Sequence, residues 1–407
     1  MIAIDCGTPG SEGLEERPAA AWPVRMLLAL FAFAVAIDVT LATRLGSGGA
    51  ASLVASAVLG APLVLAALWH LAKDGRLRGL PPPLVALVAF VGWSALSICW
   101  ASADQDVITR SITNAQLLAF VWLGWQTVRT KREVYAVLAG FVAGCMLIVA
   151  LTWRAYAADE FVTYGRYAAE GFDPNDMGVY VALGIPMAAY LALAGGRSGD
   201  LLALLYLPVA MTGIALSGSR TGLLTGSVAA AAVVVWVALR SRFAMVLTLA
   251  LVAGGITIVA VSVPAGTLER LFSVQTEVAG GTIGDRTDVW RGGFELFAAH
   301  PVVGVGAGGF ATAIIPAVRM RIVAHSTPLS IAVELGAVGL LLFFGALALV
   351  ATGVLRRGVD ERALAWILVL TWCVGTATLT WEFRKPTWFV FLLGAVLGGL
   401  PPGPRRT

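Results

Sequence analysis

Charge is what this chain of 407 residues has least of. Only 13% of it is Asp, Glu, Lys or Arg, about half the ~25% of a soluble domain. With 58% hydrophobic residues and a mean hydropathy of +0.85, an ordinary soluble enzyme is excluded. The four cysteines, Cys6, Cys99, Cys145 and Cys373, lie far apart and three fall in apolar runs, so neither a disulfide framework nor metal-ligand spacing is present. There are three histidines, His70, His300 and His325. No cationic start precedes a short apolar core with a small-residue cleavage site. The opening stretch, with Glu12, Glu15, Glu16, Arg17 and Pro18, therefore reads as a polar tail and not as a signal peptide. A net charge of +4 calls for no nucleic-acid partner, because basic residues in cytoplasmic loops account for it.

What the chain does have is apolar runs, long and continuous. A helix needs roughly 20 apolar residues to cross the hydrocarbon, whereas strands of a membrane barrel alternate over ~10 residues. The helical reading follows: an all-α integral membrane protein. Runs bounded by charges or Gly/Pro predict twelve transmembrane helices. They cover 24–43, 50–70, 83–99, 107–127, 134–157, 175–195, 200–217, 220–239, 243–262, 329–354, 363–380 and 386–400. The chain then divides into a polar tail (1–23), helices one to nine (24–262), a long loop (263–328), helices ten to twelve (329–400) and a second tail (401–407). No internal repeat and no soluble domain is visible.

Lys and Arg set the orientation. Sixteen of the 28 basic residues fall in the tails and in the segments 71–82, 128–133, 196–199, 240–242 and 355–362. Seven lie in the opposite short loops and adjoining helix ends: Arg44, Arg110, Arg154, Arg166, Arg220, Arg384 and Lys385. Both termini are thus expected in the cytoplasm and the loop 263–328 outside. That loop carries Leu268, Leu271 and Phe272 in a short helical pattern, then a flexible stretch from Ala279 to Gly284. A second helix is predicted from Thr287 to Ala299, with Asp285 or Thr287 as its cap and Trp290, Phe294 and Phe297 on one face at i, i+4 and i+7. It reads either as a helix resting on the bilayer or as a lid over a site in the outer leaflet.

The predicted helix centres are almost free of ionisable residues. Asp38, Arg110, Asp173, Asp176, Arg220, Glu334, Glu382, Arg384 and Lys385 all fall near outer helix ends. A charge at the bilayer centre costs at least ~2.5–3.5 kcal/mol, and ion-coupled transporters place their sites there. A transporter is therefore the weaker reading, and the working surface is the outer membrane–water boundary.

Several features gather on that side. Leu216–Gly222 joins two helices by a tight turn in which Gly218 and Gly222 allow sharp bending and close approach, leaving Arg220 on a rigid connection. Gly284–Thr287, with Arg286, precedes the amphipathic pattern, and Ala324-His325-Ser326-Thr327 stands before the tenth helix. An arginine offers a planar fork of donors that matches diphosphate oxygens; in a loop it equally serves as a helix cap or a headgroup contact. His325 is the one histidine next to a transmembrane helix on this side, although a loop histidine commonly has no special role; His300, before Pro301, reads as the end of the amphipathic helix. The glycine-rich run Val303–Phe310 offers backbone N–H groups to a phosphate, but it follows no strand and lacks the Lys-Ser/Thr of a nucleotide loop. A sharp turn back to the membrane is the plainer reading.

These pieces resemble the O-antigen ligase and polymerase family of bacterial inner-membrane glycosyltransferases. The resemblance runs through Trp100-Ala101-Ser102, Phe172-Asp173-Pro174-Asn175-Asp176, the Ser219-Arg220-Thr221-Gly222 turn and the stretch Arg286–Phe310 with Trp290 and His300–Gly306. It continues through His325 with Glu334-Leu335-Gly336 and Arg384-Lys385-Pro386 with Trp388. Ser326 stands where the family usually has asparagine.

The resemblance implies metal-independent transfer of a glycan from undecaprenyl diphosphate to an acceptor hydroxyl on the periplasmic face, with no cofactor. Arg220 and Arg286 would bind the diphosphate and stabilise it as it leaves, and His325 would be the general base. Arg384 and Lys385 are further candidates for the diphosphate; Asp176 and Glu334 would orient these cations or the acceptor. The implied partners are a carrier-linked glycan donor, a lipid- or carrier-linked glycan acceptor and membrane lipids. Ligase, polymerase and protein-directed transferase share this donor chemistry. The absence of an appended periplasmic domain favours a ligase acting on a lipid A-core or similar acceptor.

Overall fold

The computed structural model describes residues 22–45, 49–101, 104–160, 162, 165–194, 204–272 and 282–401. Among them the regular structure is helical. Every predicted apolar run falls on a helix, with ends shifted by a few residues: α1 (Trp22–Ala36), α2 (Asp38–Leu45), α3 (Gly49–Asp74), α4 (Pro82–Leu96), α5 (Asp104–Thr127), α6 (Lys131–Ala157), α7 (Pro174–Ala194), α8 (Tyr206–Leu216), α9 (Arg220–Ala238) and α10 (Arg242–Ser262). After the short α11 (Ala265–Phe272) come a loop helix (Thr282–Ala299), a broken helix (Thr327–Gly353), a penultimate helix (Val359–Thr376) and a last helix (Lys385–Gly399). Six of the described helices are long and apolar enough to cross a membrane, and α1 with α2 makes a seventh if that pair is one span.

Three departures from straight, regular helices matter. The first run bends by 74° between α1 and α2, at the point where Asp38 turns its carboxylate inward. The eighth-numbered helix α8 covers eleven residues, shorter than the run that predicted it. The loop helix begins at Thr282, so Asp285 and Thr287 lie within it and neither caps it. The preceding stretch Ala279–Gly281 lies outside the described residues.

The most consequential irregularity is in the broken helix. Gly336 adopts φ 67° and ψ −165°, a left-handed region open to glycine and strained for side chains with a Cβ. The glycine-rich run packs into the gap this opens. Val305 N–H and Gly306 N–H donate to the carbonyls of Val333 and Glu334, both at 2.9 Å, and Ala337 N–H donates back to Pro301 O at 2.9 Å. Trp93 Nε1 reaches Leu335 O at 3.0 Å. Unwound backbone at membrane depth persists where protein groups satisfy it, and here a loop and an indole do so. The fit is tight: a Cβ on Gly304 would stand 2.4 Å from Glu334 backbone, and one on Gly336 2.1 Å from Val302 O.

The loop helix lies on the start of the broken helix. Val289, Phe310, Ile314, Ala324, Leu329 and Val333 form a small core there, with Trp290 and Phe297 packed against it. The predicted apolar face is therefore split, because Phe294 is 61% exposed. Phe294 instead shares an open groove with Thr287, Trp290, Arg291, Glu295 and Ala298.

Candidate active site

His325 stands two residues before the broken helix in a left-handed conformation, φ 46°. Histidine is among the few non-glycine residues enriched there, at a cost of order 1–2 kcal/mol. The neighbouring backbone holds it in place. Trp290 Nε1 donates to Ala324 O at 3.0 Å, and Thr327 Oγ1 donates to Leu379 O at 2.7 Å while accepting from Trp381 N–H at 2.8 Å. Trp290 is one helical turn beyond Arg286, so the indole anchor that fixes Ala324 also sets Arg286 near His325. The imidazole is half-buried. Its pKa is lowered from 6.5, first by burial and then by the Arg286 charge, with Asp173 opposing. Lowering keeps the ring neutral, the form that accepts a proton.

Asp173 belongs to a short segment that ties the site together. Its Oδ1 accepts from Asn175 N–H at 2.8 Å and Asp176 N–H at 3.3 Å, which caps α7. Asn175 Oδ1 accepts from Arg166 Nη2 and from Ser219 Oγ, each at 2.9 Å. Asp176 takes Trp381 Nε1 at 2.8 Å and lies 3.5 Å from Arg384. One turn of helix thus bonds to Ser219 and to Trp381 and Arg384 before the last helix, and Asp173 acts on His325 electrostatically. Close backbone approach permits this: a Cβ on Gly178 would stand 2.7 Å from Gly222 Cα.

Arg220 opens α9, behind Ser219, whose Oγ caps the helix by accepting Gly222 N–H at 3.0 Å. Gly218, at φ 58°, makes the turn. Nε and Nη2 of Arg220 both donate to Arg270 O, at 3.0 and 2.7 Å, so the fork reaches the carbonyl end of α11. Arg166 supports the same turn, with Nε donating to Ser217 O at 3.0 Å.

The other sequence candidates separate. Arg384 pairs with Asp176 as above, and Lys385 reaches Asp38 at 2.9 Å, a buried carboxylate that also accepts Tyr180 OH at 3.0 Å. Glu334 is taken up by backbone: its Oε2 accepts Gly308 N–H at 2.8 Å and its Oε1 accepts Phe310 N–H at 3.4 Å. Those N–H groups of the glycine-rich run are the ones a phosphate would need. Ser326 lies in extended backbone, and its side chain makes no capping bond. Asp173 carried a sequence signal as part of the quoted Phe172–Asp176 motif. Its electrostatic action on His325 did not, because only folding brings the two within reach.

The chain matches the family described as O-antigen ligase over residues 201–344, a stretch that contains Arg220, Arg286, His325 and Glu334. No curated protein matches the chain. The family match bears out the resemblance read from the motifs. Asp176, Arg384 and Lys385 lie beyond the matched residues and rest on the motifs and the geometry.

Proposed function

From a match to the O-antigen ligases and a helical membrane architecture, we propose that this protein is a membrane glycosyltransferase. In this reading it moves a glycan from undecaprenyl diphosphate to an acceptor hydroxyl on a lipid A-core or similar molecule. We further propose twelve crossings of the bacterial inner membrane, cytoplasmic termini and a periplasmic site, supported by the distribution of basic residues. The observation that carries the reaction is the placement of half-buried His325 within electrostatic reach of Arg286 and Asp173.

The chemistry follows from those positions. His325 takes the proton of the acceptor hydroxyl, whose oxygen attacks the first carbon of the donor sugar. The bond from that carbon to the diphosphate breaks, and the lipid diphosphate departs carrying the negative charge. Arg286 beside the base stabilises that charge, with Arg220 and Arg384 as further cations at the same end of the bundle. Positive charge held in place before the reaction is what lowers the barrier, so in this scheme the protein's guanidinium groups take the place of a metal.

The test is reconstitution of the purified chain in lipid with a carrier-linked glycan and, separately, a lipid A-core acceptor and a second carrier-linked repeat, with no nucleotide added. Transfer to the lipid A-core acceptor supports the proposal. Chain extension on the second carrier alone would make the protein a polymerase, and no transfer to either acceptor would remove the glycosyltransferase reading.

A further inference from the structure

Glu382 lies in the link between the penultimate and last helices and is 5% exposed. Its Oε1 accepts from Ser330 Oγ at 2.8 Å, on the first turn of the broken helix. Its Oε2 is buried and has no hydrogen-bond partner. Charged groups face it from two other elements. Glu334 and Arg110 both act on it electrostatically, and Asp106 acts on Glu334. Glu334 is committed to the backbone N–H groups of Gly308 and Phe310. The Arg110 guanidinium sits 3.6 Å from the centre of the Phe383 ring, the residue adjoining Glu382. Asp106 accepts from Arg321 at 3.1 Å and Thr312 Oγ1 at 2.9 Å. On the link itself, Arg384 and Lys385 are drawn to Asp176 and Asp38.

Burial disfavours a charge on the Glu382 carboxyl, and a second carboxylate one helical turn beyond Ser330 disfavours it further. An ionised Glu382 would also leave one oxygen without a donor inside the protein. One arginine that also stacks on a phenyl ring is a partial counterweight. A single proton removes the second charge.

We propose that Glu382 holds a proton and that, protonated, it is a positioning residue, locking the Leu379–Lys385 link to the helix start that bears His325. The inference rests on the glycosyltransferase reading, because its readout is transfer. The link it secures carries Trp381 and Arg384, which reach Asp176, and it is bonded to Thr327, two residues after His325. Base and cation therefore keep their spacing while the link is docked. Burial first, and then the neighbouring Glu334, push Glu382 up to about 7. A carboxyl raised above its ordinary 4.5 favours the docked link at low pH, and this contribution fades as pH rises through about 7.

The experiment compares full-length wild type with Glu382→Gln, Glu382→Ala and His325→Ala in the reconstituted transfer assay, from about pH 5 to about pH 9. Glutamine keeps the shape and never ionises. It is expected to match wild type below neutral pH and to hold its rate above it, where wild type falls. The acid-side fall, set by His325, should be the same in both. Glu382→Ala should lose about ten- to hundredfold in kcat with little change in KM. Glu382→Gln as inactive as the alanine variant, or a wild-type rate that does not fall on the alkaline side, overturns the inference. Full activity in His325→Ala would instead overturn the base assignment. An inactive His325→Ala beside an unaltered alkaline limb in Glu382→Gln removes the Glu382 proton alone. If Glu382→Ala fails to fold, the glutamine profile still decides.

Discussion

At the end of the bundle that holds Arg78, Lys131, Arg240 and Arg357, the cations close helices. Arg78 donates to Trp125 O at 2.8 Å and to Val128 O at 3.2 Å, the carbonyls where α5 stops. Arg357 does the same for Gly398 O and Leu400 O at the end of the last helix. Lys131 and Arg240 meet Glu361 and Asp360, and Thr130 with Glu133 forms a capping box for α6. Carbonyls at helix C-termini lack partners within the helix and favour positive charge, so Arg78 and Arg357 complete regular structure, while Lys131 and Arg240 tie neighbouring helices together. At the opposite end the same residue types sit where regular structure stops: a bend at Asp38, a gap at Gly336, a left-handed His325. There they bond to groups on distant elements: Arg384 to Asp176, Lys385 to Asp38 and Arg220 to Arg270 O. The first end is held by caps and by ion pairs between neighbouring helices; in the proposed reaction the cations of the second end act on the substrate. Arg220 shares features of both, since it belongs to the second end yet reaches a carbonyl like the first.

His325→Ala should cause the largest loss. Removing proton transfer costs roughly 3–5 kcal/mol of barrier at ~1.4 kcal/mol per tenfold, while carrier binding measured separately stays near wild type. Transfer that survives, or a loss wholly explained by weaker carrier binding, would put His325 back among residues without a chemical role. Wild-type rate should also drop on acidification, with a midpoint below the ordinary 6.5 because burial and Arg286 lower the imidazole pKa.

Arg220 is where the comparison can break. Lysine keeps the charge but not the fork, so Arg220→Lys should reduce turnover nearly as much as Arg220→Ala while the protein still inserts and folds. Wild-type turnover in the lysine variant would class Arg220 with the capping arginines. Arg357→Gln should do the reverse, lowering stability by about 1–3 kcal/mol through lost charged hydrogen bonds and leaving the turnover of folded protein unchanged. A turnover defect there would show that the two ends are not independent.

The smallest perturbation tests orientation. Gly79 and Gly266 are exposed, and a Cβ at either meets nothing within 4 Å. Cysteine at Gly266 should react with an impermeant thiol reagent added from outside, and cysteine at Gly79 should not, with activity intact in both. Labelling at Gly79 alone would invert the proposed topology. Ser326→Ala, at a side chain that makes no capping bond, should be tolerated better than His325→Ala.

Much was legible in the chain because the bilayer asks a simple question of it. Apolar runs and their bounding charges located the helices to within a few residues, since an unsatisfied backbone in lipid is so costly that a long apolar run has little choice but helix. The scarcity of charge at helix centres points to one boundary, and the residues around Ser219–Gly222, Arg286 and His325 are the ones the proposed reaction places there. The fates of Glu334 and of the glycine-rich run were not legible. Both look like ligand-binding elements by residue type, yet each satisfies the other, because a helix opened at Gly336 exposes backbone groups that a distant loop must meet.

Composition and periodicity thus determined a helical membrane protein, since both are properties of short stretches weighed against lipid. Only tertiary structure decided that Asp173 acts on His325, that Lys385 is held by Asp38, and that Glu382 is buried with an unpartnered oxygen. Those pairings join residues far apart in the chain through close helix crossings such as Gly178 on Gly222, and no local pattern encodes which distant groups a crossing will bring face to face.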